Sequence, residues 1–517
     1  DGVNYTEDFS IKLNTFKYKK DLDYFKKKEM PIEDVVHKLI ENDLASTAKG
    51  EARKGKEYYE GKHDIREYTL YYFDEESQTF VQDKTRSNIK ISHPFFTELV
   101  DQQVQYMLSK KTDFVKSDIP ELQAKLDECF GEDFISELYE TVVDTVVKGK
   151  GYLYAYRNEE DQLSFQSADS MGIIECDARD TTDGNEYIIY YYNDYLKAKE
   201  KTILRVQVWD NKQVTYYRQD EQGKLMLDES KKINPRPHVI YKHEDNQEYR
   251  FYDEFGFIPF FRLDNNRNQT SNLAPIKDLI DDYDLMSCGL SNNLQDASEY
   301  LVVVKGFQGD NMESLINNVK VKKHIGVDNG GDIDFRTVSI PYEARRAKLE
   351  LDEVNIYRFG MGFNSAQVGD GNVTNVVIKS RYALLDLKCN KLEIRLKKLL
   401  RKIVGIVLDE INEKDETAYR QKDVYFDFDR EIITNASDNA QIKQIEAQTR
   451  AVEINTLLNV AGSIGNEKTL EAICELLEID YEDVKSKLEK QEELESEYQA
   501  REENAGGIRK DIPRGTN

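Results

Sequence analysis

The stretch IKSRYALLDLKCNKLEIRLKKLLRKIVGIVLDEINE, Ile378 to Glu413, carries Ile378, Tyr382, Leu385, Cys389, Leu392, Leu396, Leu399, Ile403 and Ile406 at alternating steps of four and three. Those steps place them all on one face of a helix. At 1.5 Å per residue the helix would run roughly 54 Å, more than one ordinary domain core covers. Just before it, Met361 to Val377 is rich in Gly and Asn and reads as a loop. Two medium helices, each roughly 28 to 36 Å long, precede that loop. The first, 274–298, has Ile276, Leu279, Ile280, Tyr283, Met286, Leu290, Leu294 and Ala297 on one face, with Asp278, Asp281, Asp282 and Asp284 clustered on a polar face. The second, 342–360, lines up Ala344, Ala347, Leu351, Val354 and Tyr357, and Pro341 stands where a first turn tolerates proline. Such faces allow the two to lie side by side. Between them, 299–341 reads as a β-rich insert with strands at Tyr300 to Lys305, Val319 to Val327 and Ile333 to Ile340, and turn material at Asn329-Gly330-Gly331. The order is a layout for a ring around a hole, and it contains no chemistry.

The chain has 517 residues, room for several cores at ~150 residues each. With 33% charged and 39% hydrophobic residues it reads as a soluble, folded protein. No apolar run approaches the ~18 residues of a membrane span, so no membrane partner is expected. The net charge of −26 repels a phosphate backbone, because binding by counterion release needs clustered Lys and Arg. Tight general nucleic-acid binding is excluded on that ground. Solubility explains the charge, and so does a surface that lets a polyanion pass without holding it. The five cysteines, Cys129, Cys176, Cys288, Cys389 and Cys474, are scattered and odd in number, which implies a reducing compartment and no disulfide framework.

Residues 1 to 30 read as a polar, aromatic arm and not as a signal segment. Helical spacing runs from Pro31 to Glu60, from Phe96 to about Ser109 and from Phe134 to Lys148. From 152 to 262 the chain is rich in β-branched and aromatic residues, with strands at Glu186 to Tyr192, Thr202 to Trp209, Gln213 to Arg218 and His238 to Tyr241, and turns at Asp183-Gly184 and Gln222-Gly223. This is an antiparallel β domain set between helices. After the long helix, Val424 to Phe428 alternates as an edge strand, and helices follow at Asn439 to Ala461, Asn466 to Leu477 and Tyr481 to Gln499. The last residues read as a disordered tail.

Enzyme signatures are missing. GxxxxGK[ST], GxSxG and HExxH do not occur, and Gly149-Lys150-Gly151 precedes a strand where a dinucleotide loop would follow one. The six histidines have no ligand-like spacing, and His93 before Pro94 reads as a turn or helix-entry residue. Asp423, Asp427 and Asp429 lack the glycine and terminal glutamate of an EF-hand loop. No metal or other cofactor is expected. Lys388, Lys391, Arg395, Lys397, Lys398, Arg401 and Lys402 form a basic patch in an acidic chain. No aromatic residues of the kind nucleic-acid grooves use are interleaved with it, so it suits ion pairs between subunits. Two other readings stay open: a metal-dependent DNA-processing enzyme using Asp427 and Asp429, and a cytoplasmic scaffold whose long helix is a coiled coil.

Several pieces together resemble the portal (connector) proteins of tailed bacteriophages, of the siphovirus type of Gram-positive hosts. They are Tyr58-Tyr59-Glu60-Gly61-Lys62-His63-Asp64-Ile65, Ser92-His93-Pro94-Phe95, Gly149 to Tyr156, Gly256-Phe257-Ile258-Pro259-Phe260, Leu279-Ile280-Asp281-Asp282-Tyr283-Asp284 and Lys379 to Leu396. The resemblance implies an α+β portal fold with a helical wing and crown, an antiparallel β wing domain, a two-helix stem and a β-rich clip. Residues 1–30 would be an arm, 31–273 the wing with its β domain, 274–298 and 342–360 the stem, and 299–341 the clip. Residues 361–377 would be the tunnel loop, 378–438 the long wing helix and wing strand, 439–500 the crown and 501–517 a tail. It further implies a ring of 12 or 13 copies at the head vertex, through which double-stranded DNA passes without sequence preference. Its partners would be terminase, scaffolding and major capsid proteins and a head-tail adaptor, in the virion and in the host cytoplasm during assembly. Gly362, Asn364, Ser365, Gln367, Gly369, Gly371, Asn372 and Asn375 would line the channel as a mobile loop of short, uncharged residues.

Overall fold

The computed structural model describes residues 31–84, 86–108, 114–158, 161–176, 187–197, 200–242, 250–253, 255–296, 301–305, 330, 332–336, 341–364, 375–428, 430, 436–477, 479, 481, 484–487 and 490. The chain divides into two compact units, one of residues 1–369 and 381–432, the other of 370–380 and 433–517. The class is α+β, with antiparallel sheets.

The helical run expected from 31 to 60 is two helices, α1 (Ile32–Leu44) and α2 (Thr47–Tyr59). Ser46 divides them: its backbone is extended and its hydroxyl accepts the Lys49 N–H, so it opens a new helix. A hairpin that the sequence pattern did not reveal follows, β1 (Tyr71–Asp74) with β2 (Thr79–Gln82). Then come α3 (Phe95–Met107), β3 (Val115–Lys116), α4 (Pro120–Cys129) and α5 (Glu132–Lys148). Helix α5 stops at Gly149, whose φ of 92° needs glycine and whose added Cβ would meet the Gln269 carbonyl oxygen at 2.0 Å.

The β region contains β4 (Lys150–Arg157), β5 (Leu163–Ala168), β6 (Ile173–Cys176), β7 (Tyr187–Leu196), β8 (Lys201–Trp209), β9 (Gln213–Gln219), β10 (Leu225–Leu227), β11 (Arg236–Pro237), β12 (Val239–Lys242), β13 (Arg250–Asp253) and β14 (Phe260–Asp264). One sheet has the order β14-β4-β5, the larger one β10-β9-β8-β7-β6, with β11 added to β9. Along β7, Ile188 and Tyr190 face one core and Ile189 and Tyr191 another, as the two-residue period requires. The first core joins the two sheets through Tyr152, Ile188, Trp209 and Phe260. The second packs the opposite face of the larger sheet under Val35, Val36, Leu39 and Ile40 of α1. Gln222-Gly223 is the turn expected there, with Gly223 at φ 86°; Asp183-Gly184 lies outside the described residues.

Next are α6 (Lys277–Asp296), β15 (Leu301–Lys305) paired antiparallel to β16 (Asp332–Arg336), α7 (Tyr342–Gly360), α8 (Asn375–Asp415), β17 (Tyr425–Phe426), α9 (Ala436–Ile464) and α10 (Asn466–Leu477). The expected strand at Val319 to Val327 lies outside the described residues. Strand β17 pairs with β3. Helix α8 is the spine of the main core. Leu385, Cys389, Leu392, Leu396, Leu399 and Ile403 are buried as their spacing predicts, and Leu400, Val404, Val407 and Leu408 widen the stripe against α3, α4 and α5. Each such leucine contributes about 1.5–3 kcal/mol. Among the described residues no helix is long and apolar enough to cross a membrane.

Candidate functional site

The pair α6 and α7 departs from its predicted packing. Ile280, Asp284 and Cys288 make the buried line of α6, while Leu294 is exposed. On α7 the buried residues are Asp352, Ile356, Tyr357 and Gly360, and the expected core stripe of Ala344, Ala347, Leu351 and Val354 is exposed. Ile280 and Tyr283 of α6 and Ile356 and Tyr357 of α7 join the main core, and beyond them charge links the two helices. Lys348 reaches both Asp282 of α6 and Asp352 of its own helix, and those hydrogen bonds raise its pKa despite burial. Gly289 leaves room for the Arg345 guanidinium, which lies 2.8 Å from where a Cβ would stand. The contacts run antiparallel: Asp282 meets Lys348, while Gly289, further along α6, meets the earlier Arg345.

Of the four aspartates predicted to form one polar face, only Asp278 is exposed. Asp281 accepts from the Tyr58 hydroxyl and, at 2.6 Å, from Lys277, which also reaches Asp64 at 2.8 Å. Those carboxylates raise the Lys277 pKa against its burial, and Lys277 with Lys54 overcomes the desolvation of Asp64 and brings it to about 2. Asp284 is fully buried. His63 Nδ1 lies 2.6 Å from one of its oxygens, and His93 Nδ1 and backbone N–H lie 2.7 and 2.9 Å from the other. Burial opposes the charge, yet the two histidines outweigh it and hold the carboxyl below its usual range. His63 is itself buried and stacks on Tyr58 with centroids 4.4 Å apart. Among the described residues no group of three His, Cys, Asp or Glu side chains is arranged to hold a metal.

His93 belongs to an extended strap, residues 87–93, that runs along α6. Its alternate residues bond to every fourth residue of the helix: Ser87 to Asp296, Ile89 N–H to Asn292 at 2.6 Å, Ile91 N–H to the Cys288 sulfur at 3.2 Å, and His93 N–H to Asp284. Two extended residues span about 6.6 Å and four helical ones about 6 Å, so the registers match. Spacing in the sequence could not reveal this, since His63, His93 and Asp284 come from three distant segments. Their recurrence in the quoted pieces Tyr58 to Ile65, Ser92 to Phe95 and Leu279 to Asp284 was the available signal.

The C-terminus of α7 is fastened as firmly. The Gly362 N–H donates to the Tyr357 carbonyl at 2.9 Å, and Gln102 makes two hydrogen bonds with the Phe363 backbone. Asn364 donates to Glu353 at 2.9 Å. Gly360 and Gly362 lie close against the Leu99 side chain. Helix α8 begins at Asn375, whose side chain lies outside the described residues, as do Ser365, Gln367, Gly369, Gly371 and Asn372. The basic patch also splits. Lys388 turns inward to the Gly360 carbonyl at 2.7 Å, and burial pulls its pKa down to about 8. Lys397 pairs with Glu393. Lys391, Lys398 and Arg401 are exposed, Arg395 and Lys402 half-buried. The Asp427 N–H donates to the Phe114 carbonyl as an extension of the β3–β17 pair, and Asp429 lies outside the described residues. Sequence reading missed one further feature, a cleft of about 1010 Å³ between the two sheets, lined by Tyr154, Tyr156, Trp209, Tyr216, Arg236 and His238.

A portal protein of Bacillus phage SPP1 is 26% identical over 393 residues, 75% of this chain and 76% of the relative. A portal protein of a Clostridium phage, phiCD119, is 23% identical over 428 residues, 79% of this chain and 88% of the relative. Residues 37–501 match the family described as phage portal protein, SPP1 Gp6-like, and the chain belongs to that family.

Proposed function

We propose that this chain is the repeating unit of a ring that forms the DNA channel at one vertex of a phage head. The observation that carries the reading is the stem pair itself. Helices α6 and α7 are joined by charge, and α7 leaves Leu351 56% exposed and Val354 44% exposed along a continuous apolar stripe. An apolar stripe left uncovered along a helix is suited to a neighbour, and identical neighbours related by rotation close into a ring.

In this reading 31–273 and the segment from the start of α8 to 438 form the wing, α6 and α7 the stem, 299–341 the clip, 361–374 the tunnel loop and 439–500 the crown. DNA passes through the centre, and the net charge of −26 per copy keeps it from being held. The ring performs no bond chemistry. Terminase docks during packaging and head-completion proteins afterwards, with scaffolding and capsid proteins around the wing.

Mass measurement and negative-stain imaging of the purified chain test the reading together with a variant lacking residues 367–372. Parent and variant are expected to form 12- or 13-fold rings with a central hole, the variant with impaired packaging or retention of DNA. A monomeric parent, or equal packaging by the variant, counts against it.

A further inference from the structure

The most exposed aromatic surface in the described part of the chain is the hairpin of β1 and β2. The register pairs Tyr71 with Gln82 and Phe73 with Phe80, so these share one face, while Tyr72, Val81, Asp74 and Thr79 share the other. Phe80 is 73% exposed and Tyr71 58%, and Phe73 meets Phe80 edge-on at 5.5 Å. A two-stranded ribbon is marginal in water without a third strand or a helix against it. Among the described residues nothing covers this face. Another uncovered apolar surface is the α7 stripe of Ala344, Ala347, Leu351 and Val354, on the side of the helix turned away from α6.

We propose that the Tyr71, Phe73 and Phe80 face of the hairpin in one copy packs on the α7 stripe of the next copy in the ring. The inference rests on the ring reading and names its stem contact. Height is the first argument. The strap ties Ser87, just after the hairpin, to Asp296 at the end of α6. Because α6 and α7 run antiparallel, the same end of the stem carries Tyr342 to Ala347. Rotation about an axis along the stem moves nothing up or down, so surfaces that meet between neighbours must sit at one height. Handedness is the second. The hairpin hangs from the strap on α6 and the stripe faces outward from α7, so the contact is head to tail, the kind that closes a ring. Charge is the third. The hairpin turn exposes Glu75 and Glu76, and the end of α7 carries Arg345 and exposed Arg346. Ala344 and Ala347 are small and leave space for the phenyl rings.

The test is thiol cross-linking. In a Cys129→Ser background, which removes the half-buried native thiol and leaves four buried ones, Phe80→Cys and Ala347→Cys are combined and treated with a short bismaleimide. The expected result is a ladder of covalent multimers from the double variant and monomer from either single variant. Rings assembled from a mixture of the two single variants should give covalent dimers only. Intact rings that yield only monomer from the double variant overturn the contact, as do covalent dimers from Phe80→Cys alone. A monomeric parent overturns the ring reading and the contact with it. As a second measure, Phe73→Ser with Phe80→Ser should lower the ring fraction at least tenfold, while Tyr72→Ser with Val81→Ser on the other face should leave it unchanged; equal loss from both pairs overturns the proposal.

Discussion

Asp284 shows how a charge survives burial: its two oxygens are divided between His63 and the ring and backbone of His93, so both oxygens are satisfied. Replacing Asp284 with Ala leaves three donors facing a void. It should cost about 3–5 kcal/mol, the range for breaking a buried pair, measured by urea unfolding. The pH dependence has a definite sign. Asp284 and Asp64 both have folded pKa values below the ordinary 3.8. Their contribution is therefore complete above about pH 4 and is lost as the pH falls through the folded values, near 2 for Asp64. The parent should lose stability steeply between pH 4 and 2, and Asp284→Ala should show a flatter acid limb. Lys388 gives a slope of the same sign at higher pH. Its folded pKa of about 8 lies below 10.5, so between those values the unfolded chain holds a proton that the folded chain has released, and its effect is a stability that rises with pH.

At the scale of elements, the junction from α7 into the loop depends on close approach. A Cβ on Gly362 would stand 2.1 Å from a Leu99 methyl, and one on Gly360 2.6 Å. Gly362→Ala should cost about 1–3 kcal/mol through overpacking. Thermal unfolding of the four proteins in a double-mutant cycle checks the cause: the penalty should shrink in a Leu99→Ala background, because the methyl it strikes is gone. An unchanged penalty would place the strain in the backbone instead. Gln102 also holds Phe363 to α3, and Phe363 stacks on Tyr382 of α8 at 4.8 Å.

At the scale of the whole molecule, a ring of copies each carrying −26 repels itself. The exposed pairs offered by Arg345 and Arg346 contribute about 0.2–1 kcal/mol apiece, too little to offset that field at low salt. The screening length falls from about 30 Å at 0.01 M salt to about 8 Å at 0.15 M. Mass photometry should therefore find a larger ring fraction at 0.15 M than at 0.01 M. The opposite trend would mean that complementary pairs, such as those once expected of Lys391, Lys398 and Arg401, govern assembly.

The sequence alone determined the bounds of α7 and of α10, the α8 spine and the absence of known enzyme motifs, because each is written in local periodicity or in contiguous residues. It also carried the family, through ordered pieces. Tertiary structure decided which faces those elements bury. Leu351 and Val354 look like core by spacing and are exposed, whereas Asp284 looks like surface and is buried, since burial depends on what stands opposite: Lys348 against Asp282 in one case, two distant histidines in the other. The hairpin was missed for a related reason. Among the described residues no other element covers its aromatic face, and short strands with nothing packed on them leave little alternation in the sequence. Periodicity reports that a face is apolar; only the fold says whether the same chain covers it or leaves it for a neighbour.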